Sequence, residues 1–346
     1  MQERDNITGG MNMKIAVDVF GGDHAPQAVL DGCMLALNQQ PEIELILVGK
    51  EDVIREYLNA HPHDAARLTV KHASDYISSH EQPTYAIKHK PESSLVKTLR
   101  CVADGEAGAM VSAGSTGAIL AGATLIVRRL KGVKRPGLAP ILPTRNGCVL
   151  LIDCGANVDC KPSYLQQFAI MGTAYMKNVV GIENPRVGLL NNGAEEEKGN
   201  DLTKSTYPLL QNMPINFTGN CEGRDVVSGD FDVVVSDGFS GNIVLKNTEG
   251  VAALMAQMLK DELLADTRSK LGALLAKKAL KRLKARMDYT EYGGAPLLGI
   301  NGGIIKAHGS SNAKAFSAAL RQASAYLKGN VTEAIASAVA GMEFEE

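Results

Sequence analysis

Short apolar runs alternate along the chain with stretches in which apolar residues recur every three or four positions. The runs predict strands over 14–19, 43–48, 68–72, 109–112, 138–142, 148–153, 187–190, 215–218 and 232–236. Between most of them the helical period predicts amphipathic helices, for example 26–38, 50–59, 117–130, 164–179 and 201–211. Strands separated by helices imply crossover connections and a mainly parallel sheet. Several runs are apolar without alternation, as in strands covered on both faces. The expected fold is therefore a three-layer α/β/α arrangement. At roughly 150 residues per domain the length suggests two domains, but α/β folds of this size often form one continuous sheet. A single α/β domain over 13–346 is expected, with 1–12, a mixed-charge stretch without an apolar core, read as a disordered extension or tag.

In parallel sheets ligands collect at the carboxyl ends of strands. The turns expected there share a composition. Asp18 leads into Gly21, Gly22, Asp23 and His24; Ser112 into Gly114, Ser115, Thr116 and Gly117; Asp153 into Gly155, Ala156, Asn157 and Asp159; Asn191 into Gly193 and Glu195. Further on come Asp237, Gly238, Phe239, Ser240, Gly241 and Asn242, then His308, Gly309, Ser310, Ser311 and Asn312. Each is a small-residue turn opening a helix, where outward backbone N–H groups make an anion site without a lysine. An N-cap is the commoner use of one Ser or Asp there, and six such turns in one sheet point beyond capping.

Composition changes this picture little. Thirty-six basic and 38 acidic residues leave a formal charge of −2, so bulk charge does not select nucleic acid. The charge is unevenly placed: 268–286 holds eight basic residues and no acidic one, interleaved with leucines, after a Met- and Leu-rich stretch from Leu254 to Leu264. The segment 251–286 reads as an amphipathic, basic helical projection for anionic lipid, an acidic protein or a dimer partner. Residues 107–127 carry no charge over a membrane-spanning length, but the polar turn at 112–117 makes a strand, turn and buried helix the better reading. The six cysteines show neither finger spacing nor C-x-x-C, which favours a reduced cytoplasmic setting over a zinc site or disulfide framework.

Motif absences narrow the chemistry. No two glycines are separated by a single residue, so the dinucleotide fingerprint is missing; the P-loop, the G-x-S-x-G elbow and H-E-x-x-H are missing too. Neither a cofactor nor a metal is expected. Inorganic phosphate as attacking reagent fits what remains. Its second pKa, about 7 by analogy with phosphate monoesters near 6, leaves much of it as the dianion, so a strong base is optional. A thioester would release a thiol of pKa about 8.5, able to depart with modest help.

Nine stretches then carry a resemblance: DVFGGDHAP (18–26), SAGSTGA (112–118), LIDCGANVDCKP (151–162), QFAIMG (167–172), VGLLNNGAEEEKGN (187–200), GNCEGRD (219–225), SDGFSGNIVLK (236–246), DYTEYGGAPLLG (288–299) and KAHGSS (306–311). In this order they resemble the bacterial phosphate acyltransferase (PlsX) family across nearly the whole chain. The resemblance implies transfer of a fatty acyl group from acyl carrier protein to inorganic phosphate, giving acyl-phosphate for phospholipid synthesis. It also implies a fold like that of phosphotransacetylases and isocitrate or isopropylmalate dehydrogenases, a homodimer, and a cytoplasmic enzyme peripheral to an anionic membrane. A glycerol-3-phosphate acyltransferase would act downstream. Phe20 stands where Met is expected, Cys154 where Val or another small residue is common, and Asn192 where an apolar residue is usual.

The expected phosphate ligands are Ser115, Thr116, Gly117 and Arg224, the last able instead to pair with Glu222 or Asp225. Lys161, His308 and Asn191 are the expected catalytic groups: a cation for the oxyanion, a proton donor to the thiolate, and an orienting amide. Asp18, Asp23, Asn157, Asp159, Glu195, Asp237 and Asn242 are expected to contact or order substrate. Two alternatives stay open: an acyl-coenzyme A-dependent phosphotransacylase, and a non-catalytic membrane-surface scaffold.

Overall fold

The computed structural model describes residues 13–287, 293–342 and 344. The expected extension over 1–12 and part of the 288–299 stretch lie outside the described residues. The elements run β1 (Lys14–Asp18), α1 (Gln27–Gln39), β2 (Glu44–Gly49), α2 (Glu51–Ala60), β3 (Leu68–His72), α3 (Pro83–His89), α4 (Ser94–Ala103), β4 (Ala109–Ser112) and α5 (Thr116–Gly122). They continue with β5 (Gly137–Leu138), β6 (Ile141–Thr144), β7 (Gly147–Ile152), α6 (Pro162–Tyr175), β8 (Arg186–Asn191), α7 (Asp201–Gln211), β9 (Asn216–Glu222), β10 (Val233–Val235) and α8 (Gly238–Leu264). The last are α9 (Thr267–Met287), β11 (Ala295–Leu298), β12 (Gly303–Lys306), α10 (Ala313–Lys328) and α11 (Val331–Val339).

Two compact units emerge. The first comprises the chain up to Arg128 with Ile300–Thr332, the second Arg129–Gly299 with the residues from Glu333. In the first, β3, β2, β1, β4 and β12 lie side by side and every pairing is parallel. On β1, Ile15, Ala16, Val17 and Asp18 are all buried. Successive strand residues point to opposite faces, so both faces are covered; α4 and α10 pack on β1, and α1 packs on α10. In the second unit the order is β6, β7, β10, β8, β9, all parallel except β6. Leu150 to Ile152 and Val233 to Val235 are completely buried, again on both faces. A short antiparallel ladder joins β11 to β5.

The departures from the sequence reading have local causes. The run 138–142 divides into β5 and β6 at Pro140, which has no N–H for a ladder. The helix expected over 117–130 is α5 followed by a wider π turn, Ala123–Val127, which Arg128 ends with a φ of 73°. Strands β11 and β12 are hidden among Gly293, Gly294, Gly299, Gly302 and Gly303, whose density reads as loop. The basic segment is two helices, because Asp266 accepts bonds from the amides of Arg268 and Ser269 at 2.7 and 2.9 Å and starts α9 afresh.

Phe168 on α6 is fully buried, and the side chain lost in Phe168→Ala leaves a cavity in the second unit. Urea unfolding is expected to show a loss of about 3–5 kcal/mol. A loss below about 1 kcal/mol would contradict a close-packed core at that position.

Candidate active site

In the first unit three strand-end turns meet around Asp18. Its Oδ2 accepts the Ser112 hydroxyl at 2.7 Å, and Ser112 Oγ in turn accepts the amide of Gly114 at 3.0 Å. A Cβ on Gly21 would lie 2.6 Å from Asp18 Oδ2 and 2.9 Å from Gly114 N, so only glycine lets the two turns approach this closely. The third turn is tied in by two backbone bonds, Asp23 N to Gly309 O at 2.8 Å and Ala307 N to Ser112 O at 2.9 Å. Burial raises the Asp18 carboxyl above its usual range, and the Ser112 bond opposes that shift. Asp18 is therefore an internal brace, whereas Asp23, Thr116 and His308 face outward. His308 Nδ1 lies 2.9 Å from Ser310 Oγ.

α5 begins in this cluster. Its first-turn amides, those of Thr116, Gly117 and Ala118, have no acceptor within the helix, and its N-cap Ser115 places no side-chain oxygen on them. Helices α7, α8 and α10 differ: Asn200, Asp237 and Asn312 accept the amides of Thr203, Ser240 and Ala315 at 3.0, 2.8 and 3.0 Å. Asp237 and Asn312 thus serve as caps, while α5, like α1, α2, α3, α4 and α6, starts without a side-chain cap. Pro83 backs Gly117, where a Cβ would meet its Cγ at 2.7 Å.

In the second unit the organising group is Asp153, which is completely buried directly after β7. Oδ1 accepts Leu138 N at 2.8 Å and Ala156 N at 3.2 Å, while Oδ2 accepts Asn157 N at 2.6 Å and Asn157 Nδ2 at 2.9 Å. Asn157 Nδ2 also donates to Pro136 O at 2.7 Å, and the backbone carbonyl of Asn157 accepts Gly238 N at 2.7 Å. The turn carrying Asp159 and Lys161 is thereby joined to the start of α8. Asn242 on α8 faces Gly155, where a Cβ would lie 3.7 Å from its Cγ. Lys161 is the N-cap residue of α6 and makes no cap bond; Pro162 follows at the first helical position. Lys161 and Asp159 are exposed, and Asn157 is half-buried.

Asn191 and Glu195 occupy the next turn of this unit. Asn191 Nδ2 donates to Lys198 O at 3.1 Å, its Oδ1 accepts Asn192 N at 2.9 Å, and Glu195 O accepts Asn220 Nδ2 at 2.7 Å. Arg224 is paired with Glu222 at 2.8 Å, with Asp225 at 3.8 Å, and its side chain is 79% exposed. The ion pair foreseen for it is present. The braces Ser112 and Asp153 were legible only as strand ends. A polar residue closing an apolar run just before a glycine turn was the available signal.

All six cysteines are free, and burial pushes each thiol up, Cys160 to about 12. None is a thiolate near neutrality, so no thiol here is poised as a covalent nucleophile.

Comparison with known proteins fits this geometry. A family model described as "Fatty acid synthesis protein" matches residues 13–334. A phosphate acyltransferase of Clostridium perfringens is 54% identical over 312 residues, 90% of this chain and 92% of that one. One from Clostridium novyi is 49% identical over 325 residues, covering 94% and 98%. The chain belongs to the PlsX family of phosphate acyltransferases. A phosphotransacetylase from Streptococcus pyogenes matches in fold at a TM-score of 0.60 and 17% identity, over 93% of this chain and 94% of that one. A second, from Staphylococcus aureus, matches at 0.58 and 15%, over 91% and 94%. The family is one of acyl-transferring enzymes, and the expected α/β fold with its phosphotransacetylase likeness holds.

Burial raises the Asp153 carboxyl from 3.8 to about 6, against the pull of its hydrogen bonds. A raised acid favours the folded state while protonated, so its contribution is complete below about pH 4 and is lost as pH rises through 6. Unfolding free energies of wild type and Asp153→Asn, compared at pH 4 and 6.5, should drift in the variant's favour by up to about 3 kcal/mol. A pH-independent difference would show that the carboxyl is not held in this way.

Proposed function

We propose that the protein transfers a fatty acyl group from acyl carrier protein to inorganic phosphate, releasing acyl-phosphate. Family membership supports the acyl transfer and the phosphate acceptor. The uncapped first turn of α5, set among three glycine-rich turns, is the observation that carries the reading. Phosphate held on the amides of Thr116 and Gly117 and the hydroxyls of Ser115 and Thr116 presents an oxygen to the thioester carbon. The C–O bond forms, the tetrahedral oxyanion collapses, and the C–S bond breaks to free the carrier's thiolate. His308 on the third turn is the proton donor to that sulfur. On the second unit by itself Lys161 is the candidate cation and Asn191 the candidate orienting amide, with Asn157, Asp159, Glu195 and Asn242 as candidate substrate contacts. The raised cysteine thiols favour direct attack by phosphate over an acyl-enzyme.

The helices α8 and α9 support the partner assignments. Leu254, Met255 and Met258 on α8 are more than half exposed, as are Leu271, Leu274 and Leu275 on the basic α9. Apolar residues beside lysines suit anionic lipid and the acidic surface of a carrier protein, and the Met and Leu stripe of α8 suits a second copy in a homodimer. Among the described residues no helix is long and apolar enough to cross a membrane. Contact with the bilayer would then be peripheral, delivering acyl-phosphate to a glycerol-3-phosphate acyltransferase.

Acyl carrier protein thioester and phosphate incubated with the protein should yield a hydroxylamine-trappable acyl-phosphate, with thiol release dependent on phosphate. Acyl-coenzyme A at matched concentration should be the poorer donor; the reverse order would favour the phosphotransacylase reading. Thr116→Val removes one bond to a charged ligand, worth about 1.5–3 kcal/mol, and should raise the phosphate KM about 10- to 100-fold. An unchanged KM would remove Thr116 from the phosphate site.

A further inference from the structure

We infer that Asp153 is the positioning residue of the second unit, fixing the turn that bears Asn157, Asp159 and Lys161 against the first turn of α8. Three features of the geometry point to it. Asp153 is completely buried, so it does not touch a substrate in solution. Both oxygens are saturated by bonds reaching outward to β5 through Leu138 and along its own turn through Ala156 and Asn157. The start of α8 is moulded onto it: a Cβ on Gly238 would lie 2.8 Å from Asp153 Oδ2, and one on Gly241 only 2.0 Å from its carbonyl oxygen. Two glycines one helical turn apart thus let α8 approach a single residue more closely than any side chain would permit.

The arrangement uses the acceptor capacity of an ionised carboxylate. Four donors converge on two oxygens, and a protonated carboxyl must turn an O–H toward one of them. The groups around it offer little compensation. β5 contributes the backbone amide of Leu138, and α8 contributes Gly238 and Gly241 between the cap Asp237 and Asn242. On its own turn the titratable neighbours Cys154 and Cys160 are held protonated by burial, and Asp159 is acidic. Loss of this carboxyl therefore loosens the turn and the attached helix start together, without any change at the surface residues themselves.

The kinetic part of this inference rests on the acyl-to-phosphate reading; the structural part does not. Amide hydrogen exchange of the wild-type protein is to be compared at pH 7.5 with that of Asp153→Asn. In the variant the amides of 154–159 and 238–242 are expected to exchange at least tenfold faster than in wild type, while those of β10 keep their protection. Steady-state rates with acyl carrier protein thioester and phosphate should give a variant kcat at least about 30-fold lower, with the phosphate KM changed less than threefold. Wild-type protection at 154–159 and 238–242 in the variant overturns the positioning role, as does a variant that retains the wild-type kcat. If Asp153→Asn does not fold, Asn157→Ala, which removes one of the four donors, decides by the same exchange readout at 238–242. A wild type that makes no acyl-phosphate defeats the assigned reaction, while exchange still decides the placement of the turn.

Discussion

A carboxylate inside a protein must find in hydrogen bonds what it loses in water, and two such carboxylates, Asp18 and Asp153, shape the turns of this molecule. Each stands at the carboxyl end of a buried parallel strand, where the following chain has to bend. Burial raises both acids, so neither is a comfortable charge. The local backbone responds by folding amides and hydroxyls inward: Ser112 onto Asp18, and Leu138, Ala156 and Asn157 onto Asp153. Glycines at 21, 114, 238 and 241 follow from this crowding, because side chains at three of them would strike the neighbouring turn or the acid itself. At Gly114 the nearest contact would be tight, 3.1 Å from Ser112 Oγ.

Once the inward donors are committed, the outward ones are left for chemistry. Helix starts here are of two kinds, capped at α7, α8 and α10 and without a side-chain cap at α5, as at α1, α2, α3, α4 and α6. Where Asp237 or Asn312 caps its helix, an anion would have to displace a side chain already in place. At α5 there is no such competitor, and the partial positive charge of the first turn is open to a dianion. On the proposed reading those amides hold and orient the attacking phosphate. That reading requires no activated thiol, and the protonated cysteines are consistent with it.

Much of this architecture is written in the order of apolar runs. The strands 68–72 and 109–112 and the helix 201–211 coincide with β3, β4 and α7, because each is a self-contained local pattern. What the sequence hid was decided by tertiary context. Pro140 splits a run that looks continuous, and β11 and β12 are four-residue runs set among glycines, too short to stand out as strands. Among the site residues, the turn around Ser115 to Gly117 could be read as an anion site from its composition. Whether its helix was already capped could not, since Ser115 is a good capping residue that does not cap here. Ser112 and Asp153 escaped notice for a related reason: a polar residue at a strand end looks like a boundary until its partners, 94 residues away for Ser112 and Asp18, are known.

The central claim is that the open helix start of the first unit is where orthophosphate sits. Backbone-amide NMR shifts recorded on titration with orthophosphate test it most directly. The account predicts saturable shifts at Ser115, Thr116, Gly117 and Ala118, with smaller ones in the turns at Gly22 and Gly309, and none from chloride at equal ionic strength. Shifts confined to the basic helix α9, or no saturable shift at α5, would contradict it.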